Sequence, residues 1–127
     1  MNIRTHLGIS QELCGKPVEV SAGKSVVAMT ATPAMAADDR GLVHGGFVFG
    51  MADYAAMLAV NDPNVVLGSS EMRFLKPIRV GETITARAAV KEESGRKRIV
   101  EVSVSRDATE VASGTCTCFV LDKHVLD

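Results

Sequence analysis

Tryptophan is absent from the 127-residue sequence, and aromatic side chains are scarce, with one tyrosine and four phenylalanines. Proteins that bind single-stranded nucleic acid stack its bases on aromatic rings, so this scarcity argues against such a function. The charge is nearly balanced, with 15 acidic and 14 basic side chains and a net charge of −1. The sequence therefore gives no indication of a nucleic-acid partner or of a disordered acidic tail.

Long apolar runs and targeting patterns are also missing. The apolar run at residues 47–60 is too short to cross a bilayer and fits a core helix. The N-terminal stretch MNIRTHLGIS has neither the apolar core of a signal peptide nor the pattern of a transit peptide. We expect a cytoplasmic protein without a membrane partner.

Three cysteines, an odd number, fit a reducing compartment better than a disulfide framework. Cys116 and Cys118 are two residues apart in a strand-like run, which predicts small buried side chains on one face. The three histidines are scattered and do not suggest a ligand set. We predict no metal and no resident cofactor.

The first third of the chain predicts a short helix and then an extended segment. Residues 9–15 favour one or two helical turns, with Ser10 as N-cap and Gly15 as terminator. Residues 18–32 are rich in β-branched side chains, with a turn or bulge at Ala22-Gly23. A loop follows at residues 33–43.

A long apolar helix comes next. It begins after the His-Gly-Gly turn at residues 44–46 and ends before Pro63, because a proline disfavours the helical conformation in the residue before it. Its only ionisable side chains are Asp53 and Tyr54. A helix that is apolar on every face must be covered by other parts of the protein, and a carboxylate there is rarely without a partner or a function. Asp53 is therefore the first candidate functional residue.

Alternating strands fill the rest of the chain. Two runs are predicted to point their small apolar side chains into the core: Ile84, Ala86, Ala88 and Val90, and then Val100, Val102 and Val104. Hairpin loops at 93–96 and 107–110 make the sheet antiparallel, and the long helix can cover its apolar face. We predict one domain over residues 1–127, of the α+β class, with a five-stranded antiparallel sheet wrapped around one long buried helix. Since that sheet cannot cover the whole helix, we also expect a homodimer.

Two motifs carry a resemblance to a known family. His44-Gly45-Gly46 followed by Asp53, and the stretch FLKPIRVGE at residues 74–82, resemble the acyl-CoA thioesterases of the hotdog fold, typified by the phenylacetic-acid-degradation thioesterases. The similarity spans about residue 10 to residue 121. It implies a homodimer whose two sheets join edge to edge, with the option of a tetramer made of two such dimers. It also implies that Asp53 of one subunit faces the His44-Gly45 turn of the other.

The resemblance implies thioester hydrolysis with Asp53 as nucleophile or general base. The backbone N–H groups of Gly45 and Gly46, at the positive end of the helix, would stabilise the oxyanion. His44 joins this candidate catalytic set as a residue of the turn rather than as a proton carrier. The alternatives are that Asp53 is a structural acid paired with a backbone amide or the Tyr54 hydroxyl, and that the glycines only form a tight turn.

Candidate substrate-binding residues fall into two groups. An acyl or aryl group would be lined by Phe47, Met51, Tyr54 and Met57, with ordinary core packing as the alternative. The phosphates of coenzyme A would be bound by Lys76 and Arg79, or by Arg73 and the 96–98 run.

Two departures from the family pattern affect catalysis. Many relatives have an asparagine or glutamine six residues before the histidine, where this chain has Asp38. An ionised aspartate cannot donate a hydrogen bond to the substrate. Met57 stands where some relatives have a hydroxyl group.

Two functions follow. The first is an acyl-CoA thioesterase that hydrolyses a small or medium acyl- or aryl-CoA, with coenzyme A present only as part of the substrate. The alternative, supported by Asp38, is a non-catalytic hotdog module that binds an acyl-CoA or a related metabolite.

Overall fold

Two helices and six strands make up the computed structural model, which describes residues 1–127. In chain order they are α1 (Gln11–Cys14), β1 (Lys16–Ser21), β2 (Lys24–Thr30), α2 (Gly45–Val60), β3 (Val65–Phe74), β4 (Thr83–Ser94), β5 (Lys97–Arg106) and β6 (Thr109–Val120). A 3-10 turn at Pro33–Met35 lies between β2 and α2. The Ser10 side chain caps α1 by accepting a hydrogen bond from Leu13 N, as the sequence predicted.

The strands form one antiparallel sheet in the order β1-β2-β4-β5-β6-β3. The prediction of five strands is wrong. Residues 18–32 contribute to two strands because Gly23, at φ 74°, closes a tight turn that folds β1 back onto β2. The edge strand β3 pairs on one side only, so the other side of its ten residues carries unpaired backbone groups.

The predicted alternation of the later strands is confirmed. Val100 and Val104 of β5 and Ile84 and Ala86 of β4 are 0% exposed. Cys116 and Cys118 of β6 are also fully buried, on the same face of the strand. These side chains form the floor on which α2 lies.

Helix α2 has sixteen residues and begins at Gly45, within the turn that was predicted to precede it, and nine of its residues are buried. All six strands contact it, which confirms the hotdog arrangement of an antiparallel sheet around one long helix. Phe49, Gly50 and Asp53 are half-buried, and Phe49 and Gly50 lie four and three residues before Asp53, on its side of the helix. This less covered face is where Asp53 lies.

The N-terminal strap, defined as residues 1–9, lies against the C-terminal end of α2. Asn61 holds it there: its Oδ1 accepts a hydrogen bond from Arg4 N, and its Nδ2 donates one to Asn2 O, each 2.8 Å long. Asn61 also ends the helix in the left-handed conformation, at φ 52°, and is 5% exposed. One residue thus terminates α2 and fixes the strap.

Neither helix is both long enough and apolar enough to cross a membrane.

Candidate active site

The beginning of α2 presents free hydrogen-bond donors. Its cap residue His44 has an extended backbone, donates its own N–H to Met35 O over 2.9 Å, and makes no side-chain capping bond. The N–H groups of Gly45 and Gly46 have no backbone acceptor, since no earlier turn of helix precedes them. Both glycines are exposed. An anionic oxygen can therefore reach the positive end of the helix dipole here.

The two glycines differ in the space around them. A Cβ atom at Gly46 would lie 3.0 Å from Cδ2 and Nε2 of His44, so the imidazole ring covers this residue. The same ring meets Phe47 edge to face, at 6.1 Å between centroids. Gly45 is more open, because its nearest neighbour would be Cε1 of Phe74, at 4.0 Å. The His44 ring thus packs over the turn at Gly46, and the surroundings of Gly45 are more open.

Asp53 has the features of a reactive carboxylate. Its Oδ1 is buried and has no hydrogen-bond partner, so neither a backbone amide nor the Tyr54 hydroxyl donates to that oxygen. Burial raises the pKa of this carboxyl group above its usual value, and the positive charge of His6 lowers it to a smaller extent. An unpartnered, partly desolvated carboxylate is a stronger base than one in water.

Asp53 and Gly45 do not meet within one chain. Both lie on α2 eight residues apart, which corresponds to about 12 Å along the helix axis. One thioester carbonyl cannot be in contact with both groups over that distance. Four cavities, of about 610, 170, 240 and 470 Å³, open on other parts of the surface. Neither Asp53 nor Gly45 lines any of these four.

The strap brings a residue to the site that sequence reasoning missed. The ring of His6 lies 6.3 Å from that of Tyr54, the helical neighbour of Asp53. Burial lowers the pKa of His6, and the charge of Asp53 raises it to a smaller extent. No local pattern marks His6 in the sequence, because its position depends on how the strap folds onto Asn61.

Three thiols also lie around Asp53. Burial, together with the negative charge of Asp53, raises the pKa of Cys14 and raises that of Cys116 to about 11. For Cys118, burial and the charges of Cys116 and Asp53 raise the pKa to about 12. All three thiols are therefore neutral near pH 7.

Asp38 accepts hydrogen bonds from the loop that precedes α2. Its Oδ1 accepts hydrogen bonds from Arg40 N over 3.0 Å and from Leu42 N over 3.1 Å. These bonds order the loop that precedes the His44 turn, and a carboxylate is suited to accept both. This finding gives Asp38 a structural role that does not require a donor at this position.

Of the residues predicted to line an acyl group, one is partly exposed in the structure and three lie in the core. Phe47 is half-buried at the start of α2, beside His44. Tyr54, Met57 and Met51 belong to the chain's own core and are 3%, 1% and 0% exposed. Phe74, which the sequence did not single out for this role, is 53% exposed and lies next to Gly45. The accessible apolar surface near the start of α2 is therefore around Phe47 and Phe74.

Some of the cations predicted to bind phosphate form ion pairs in the structure, and others do not. Arg96 forms an ion pair with Asp122, and Arg98 pairs with Glu93 at 2.9 Å. Lys76 and Arg79 are exposed, and their side chains form no ion pair. Arg79 lies close to the start of α2, because its backbone bridges to Leu42 in the preceding loop. Arg73 and Lys97 are also exposed and form no ion pair, so four of the predicted cations are free, and Arg79 is near the start of α2.

The model of the thioesterase superfamily matches residues 40–113, a span that includes the His44 turn, the whole of α2 and Asp53. The chain belongs to the thioesterase superfamily. The chain is also similar to individual curated proteins and solved structures, which differ in sequence identity and in coverage.

Three curated relatives illustrate the range of functions. The chain is 51% identical over 123 residues to a methylthioribose-1-phosphate isomerase of Aquifex aeolicus, covering 96% of this chain but only 27% of that protein. It is 24% identical to the transcription factor FapR of Caldanaerobacter subterraneus, covering 98% of this chain and 62% of FapR. It is 27% identical to the acyl-coenzyme A thioesterase PaaI of Escherichia coli, covering 78% of this chain and 75% of PaaI.

Solved structures share the fold closely. An uncharacterised protein from Pyrococcus horikoshii is 50% identical, with a TM-score of 0.99 over 100% of this chain and 98% of that one. A variant of the phenylacetic acid degradation protein PaaI from Thermus thermophilus is 32% identical, with a TM-score of 0.79 over 87% and 97%. A Streptococcus mutans protein bound to acetyl-CoA is 24% identical, with a TM-score of 0.78 over 87% and 90%, and shows the fold alone.

Proposed function

We propose that this superfamily member is an acyl-CoA thioesterase that hydrolyses a small or medium acyl- or aryl-CoA. The observation that carries the proposal is the buried, unpartnered Oδ1 of Asp53 on the less covered face of α2. The PaaI relatives support the substrate class. The isomerase activity of the Aquifex relative is not included, because this chain corresponds to 27% of that protein.

Hydrolysis by general base catalysis would use Asp53 and Gly45 together. Asp53 takes a proton from a water molecule, whose oxygen attacks the thioester carbonyl carbon. The carbonyl oxygen becomes an oxyanion and accepts a hydrogen bond from the Gly45 N–H. The carbon–sulfur bond then breaks, and the proton held by Asp53 passes to the leaving thiolate, which gives a carboxylic acid and free coenzyme A. In the nucleophilic alternative, Asp53 attacks the carbonyl carbon, and the carbon–sulfur bond breaks to release the thiolate and leave a mixed anhydride. Water then hydrolyses the anhydride to the carboxylic acid and free Asp53, and the proton released passes to the thiolate.

Two copies of the chain would form each site. The separation of about 12 Å along α2 keeps Asp53 and Gly45 of one chain apart, so the Gly45 donor must come from a second copy. The unpaired side of β3 is a surface through which two sheets can join edge to edge. We therefore propose a homodimer with two shared sites; dimers of this kind could pair into a tetramer.

The substrate would lie across the start of α2. Phe47 and the exposed Phe74 offer apolar surface for the acyl group. Lys76 and Arg79 have free charges at the same end of the molecule and are suited to the phosphates of coenzyme A.

The experiment is a panel of short, medium, branched and aromatic acyl-CoAs with detection of free thiol. We expect turnover of at least one thioester by the wild-type protein and its loss, by about 10³-fold or more, in Asp53→Asn. An Asp53→Asn variant with full activity on the best substrate would contradict the mechanism.

A non-catalytic acyl-CoA-binding module is the second candidate. It is favoured by the similarity to FapR, a transcription factor, over 98% of this chain. It predicts saturable binding of an acyl-CoA by calorimetry and no thiol release from any member of the panel.

A further inference from the structure

The loop between β3 and β4, residues 75–82, carries two of the free cations and is here called the cation loop. The side chains of Lys76 and Arg79 are exposed. Ile78, which lies between them, is 3% exposed and belongs to the core. The cation loop therefore has a buried anchor and presents a positive charge on either side of it.

Backbone hydrogen bonds tie the cation loop to the segment that leads into α2. Val43 N donates to Ile78 O, and Val80 N donates to Gly41 O, each over 2.9 Å. The helix begins two residues after Val43. The backbone of the cation loop is thus fixed relative to the start of α2, where the proposed oxyanion donor lies.

A side chain of β5 braces the cation loop from the other side. Nη1 of Arg106, the last residue of β5, donates to Pro77 O over 2.8 Å and forms an ion pair with Glu82 Oε1 at 3.4 Å. The same Glu82 oxygen accepts a hydrogen bond from Arg79 N over 2.6 Å. One guanidinium group thus holds the carbonyl beside Lys76 and the carboxylate that binds the backbone of Arg79.

We propose that Arg106 is a positioning residue for the nucleotide of coenzyme A. Through Pro77 and Glu82 it holds the cation loop in the conformation in which Lys76 and Arg79 bind the phosphates of an acyl-CoA. The inference rests on the proposed function, which assigns phosphate binding to these two cations. It adds selectivity for thioesters that carry the nucleotide.

Two physical effects give Arg106 this role. A loop that a ligand has to order on binding weakens the affinity for that ligand, and here the bonds of Arg106 order the loop in the free protein. Glu82 is also a negative charge three residues from Arg79, where it would repel a phosphate. The ion pair with Arg106 offsets that charge, and it is partly shielded from water because the two side chains are 26% and 32% exposed.

The first test is calorimetric titration with coenzyme A itself, which requires no hydrolysis. Arg106→Ala should weaken binding by about threefold to tenfold at low salt. In a Lys76→Ala/Arg79→Ala background, adding Arg106→Ala should cause no further loss, because Arg106 acts through those cations. The same fold-loss in both backgrounds, or no loss in either, would overturn the inference.

The second test compares an acyl-CoA with the matching acyl-pantetheine, which has the same thioester but no nucleotide. Arg106→Ala should raise KM for the acyl-CoA and leave KM for the acyl-pantetheine and both kcat values unchanged. An equal change with both substrates would show a merely structural role and overturn the proposal. Arg106→Lys, which keeps the charge and a donor for Pro77 O, should recover most of the affinity.

A control variant and Asp53→Asn complete the design. Ser103→Ala removes a different side-chain bond of β5, the one of 2.6 Å to Glu110, and should leave coenzyme A binding unchanged. If Arg106→Ala does not fold, Arg106→Gln, which keeps most of the length but not the charge, replaces it in both tests. If Asp53→Asn is inactive and the Arg106 variant binds coenzyme A as wild type does, the role of Arg106 fails while the proposed function stands. If Asp53→Asn is fully active, the proposed mechanism fails, and the titration still decides the role of Arg106.

Discussion

Asp53→Asn is expected to make the protein more stable at neutral and alkaline pH while removing its activity. In the wild type, the carboxylate is partly desolvated and its Oδ1 has no partner. A buried polar group without a hydrogen bond costs about 1–3 kcal/mol, and the half-buried position of Asp53 favours the lower end of that range. A neutral amide avoids the charged part of this cost, so we expect a gain of about 1 kcal/mol, or about 4 °C in Tm.

The pH dependence of this gain follows from the raised pKa. A carboxyl group with a higher pKa in the folded than in the unfolded chain binds its proton more tightly when folded. Its contribution to the free energy of unfolding is fully present below the unfolded pKa of about 4 and is lost as pH rises through the folded pKa. The difference between Asp53→Asn and wild type should thus be near zero at acidic pH and largest at alkaline pH.

Thermal unfolding across a pH series tests this directly, with Asp39→Asn as the matched control. Asp39 is exposed, so its replacement should change Tm little at any pH. An Asp53→Asn variant that is less stable than wild type at alkaline pH, or whose gain does not vanish in acid, would refute the reasoning.

Three further predictions concern the rest of the site. Gly45→Pro removes the proposed donor at the first helical position, where proline is tolerated; it should lower kcat by about 10²–10³-fold, whereas Gly45→Ala keeps the N–H and should lose far less. Lys76→Ala and Arg79→Ala should each raise KM for an acyl-CoA by about threefold to fivefold at low salt, with kcat unchanged. Arg96→Ala is the control: Arg96 is ion-paired with Asp122, and its replacement should leave KM unchanged. Asp38→Asn should keep the free energy of unfolding within about 0.5 kcal/mol in denaturant titration. Asp38→Ala, which loses the acceptor of two loop bonds, should lose about 1 kcal/mol or more.

The parts of the molecule with strong local patterns could be predicted from the sequence. The apolar run ending at a proline gave α2 to within a residue or two, and alternation gave the inward faces of β4 and β5. A carboxylate in an apolar helix was enough to single out Asp53. The extra strand was missed because Ala22-Gly23 fits both a bulge within one strand and a turn between two.

Long-range features could not be predicted. The contact of the strap with Asn61 joins residues more than fifty positions apart, so nothing near His6 in sequence indicates its place beside Tyr54. Tyr54 and Met57 were predicted to line a pocket, but an apolar helix residue has the same pattern in a pocket and in a core, and both are in the core. The role of Asp38 depends on backbone donors that only the folded loop supplies.

The central claim is that Asp53 of one chain and Gly45 of another act on the same thioester, and one mixing experiment tests it most directly. Asp53→Asn and Gly45→Pro are denatured together in equal amounts, refolded, and assayed for thiol release. Each variant alone has no complete site, but a mixed dimer has one intact Asp53 opposite one intact Gly45. Random pairing then predicts about a quarter of the wild-type rate. A mixture no faster than the separate variants would contradict the shared site.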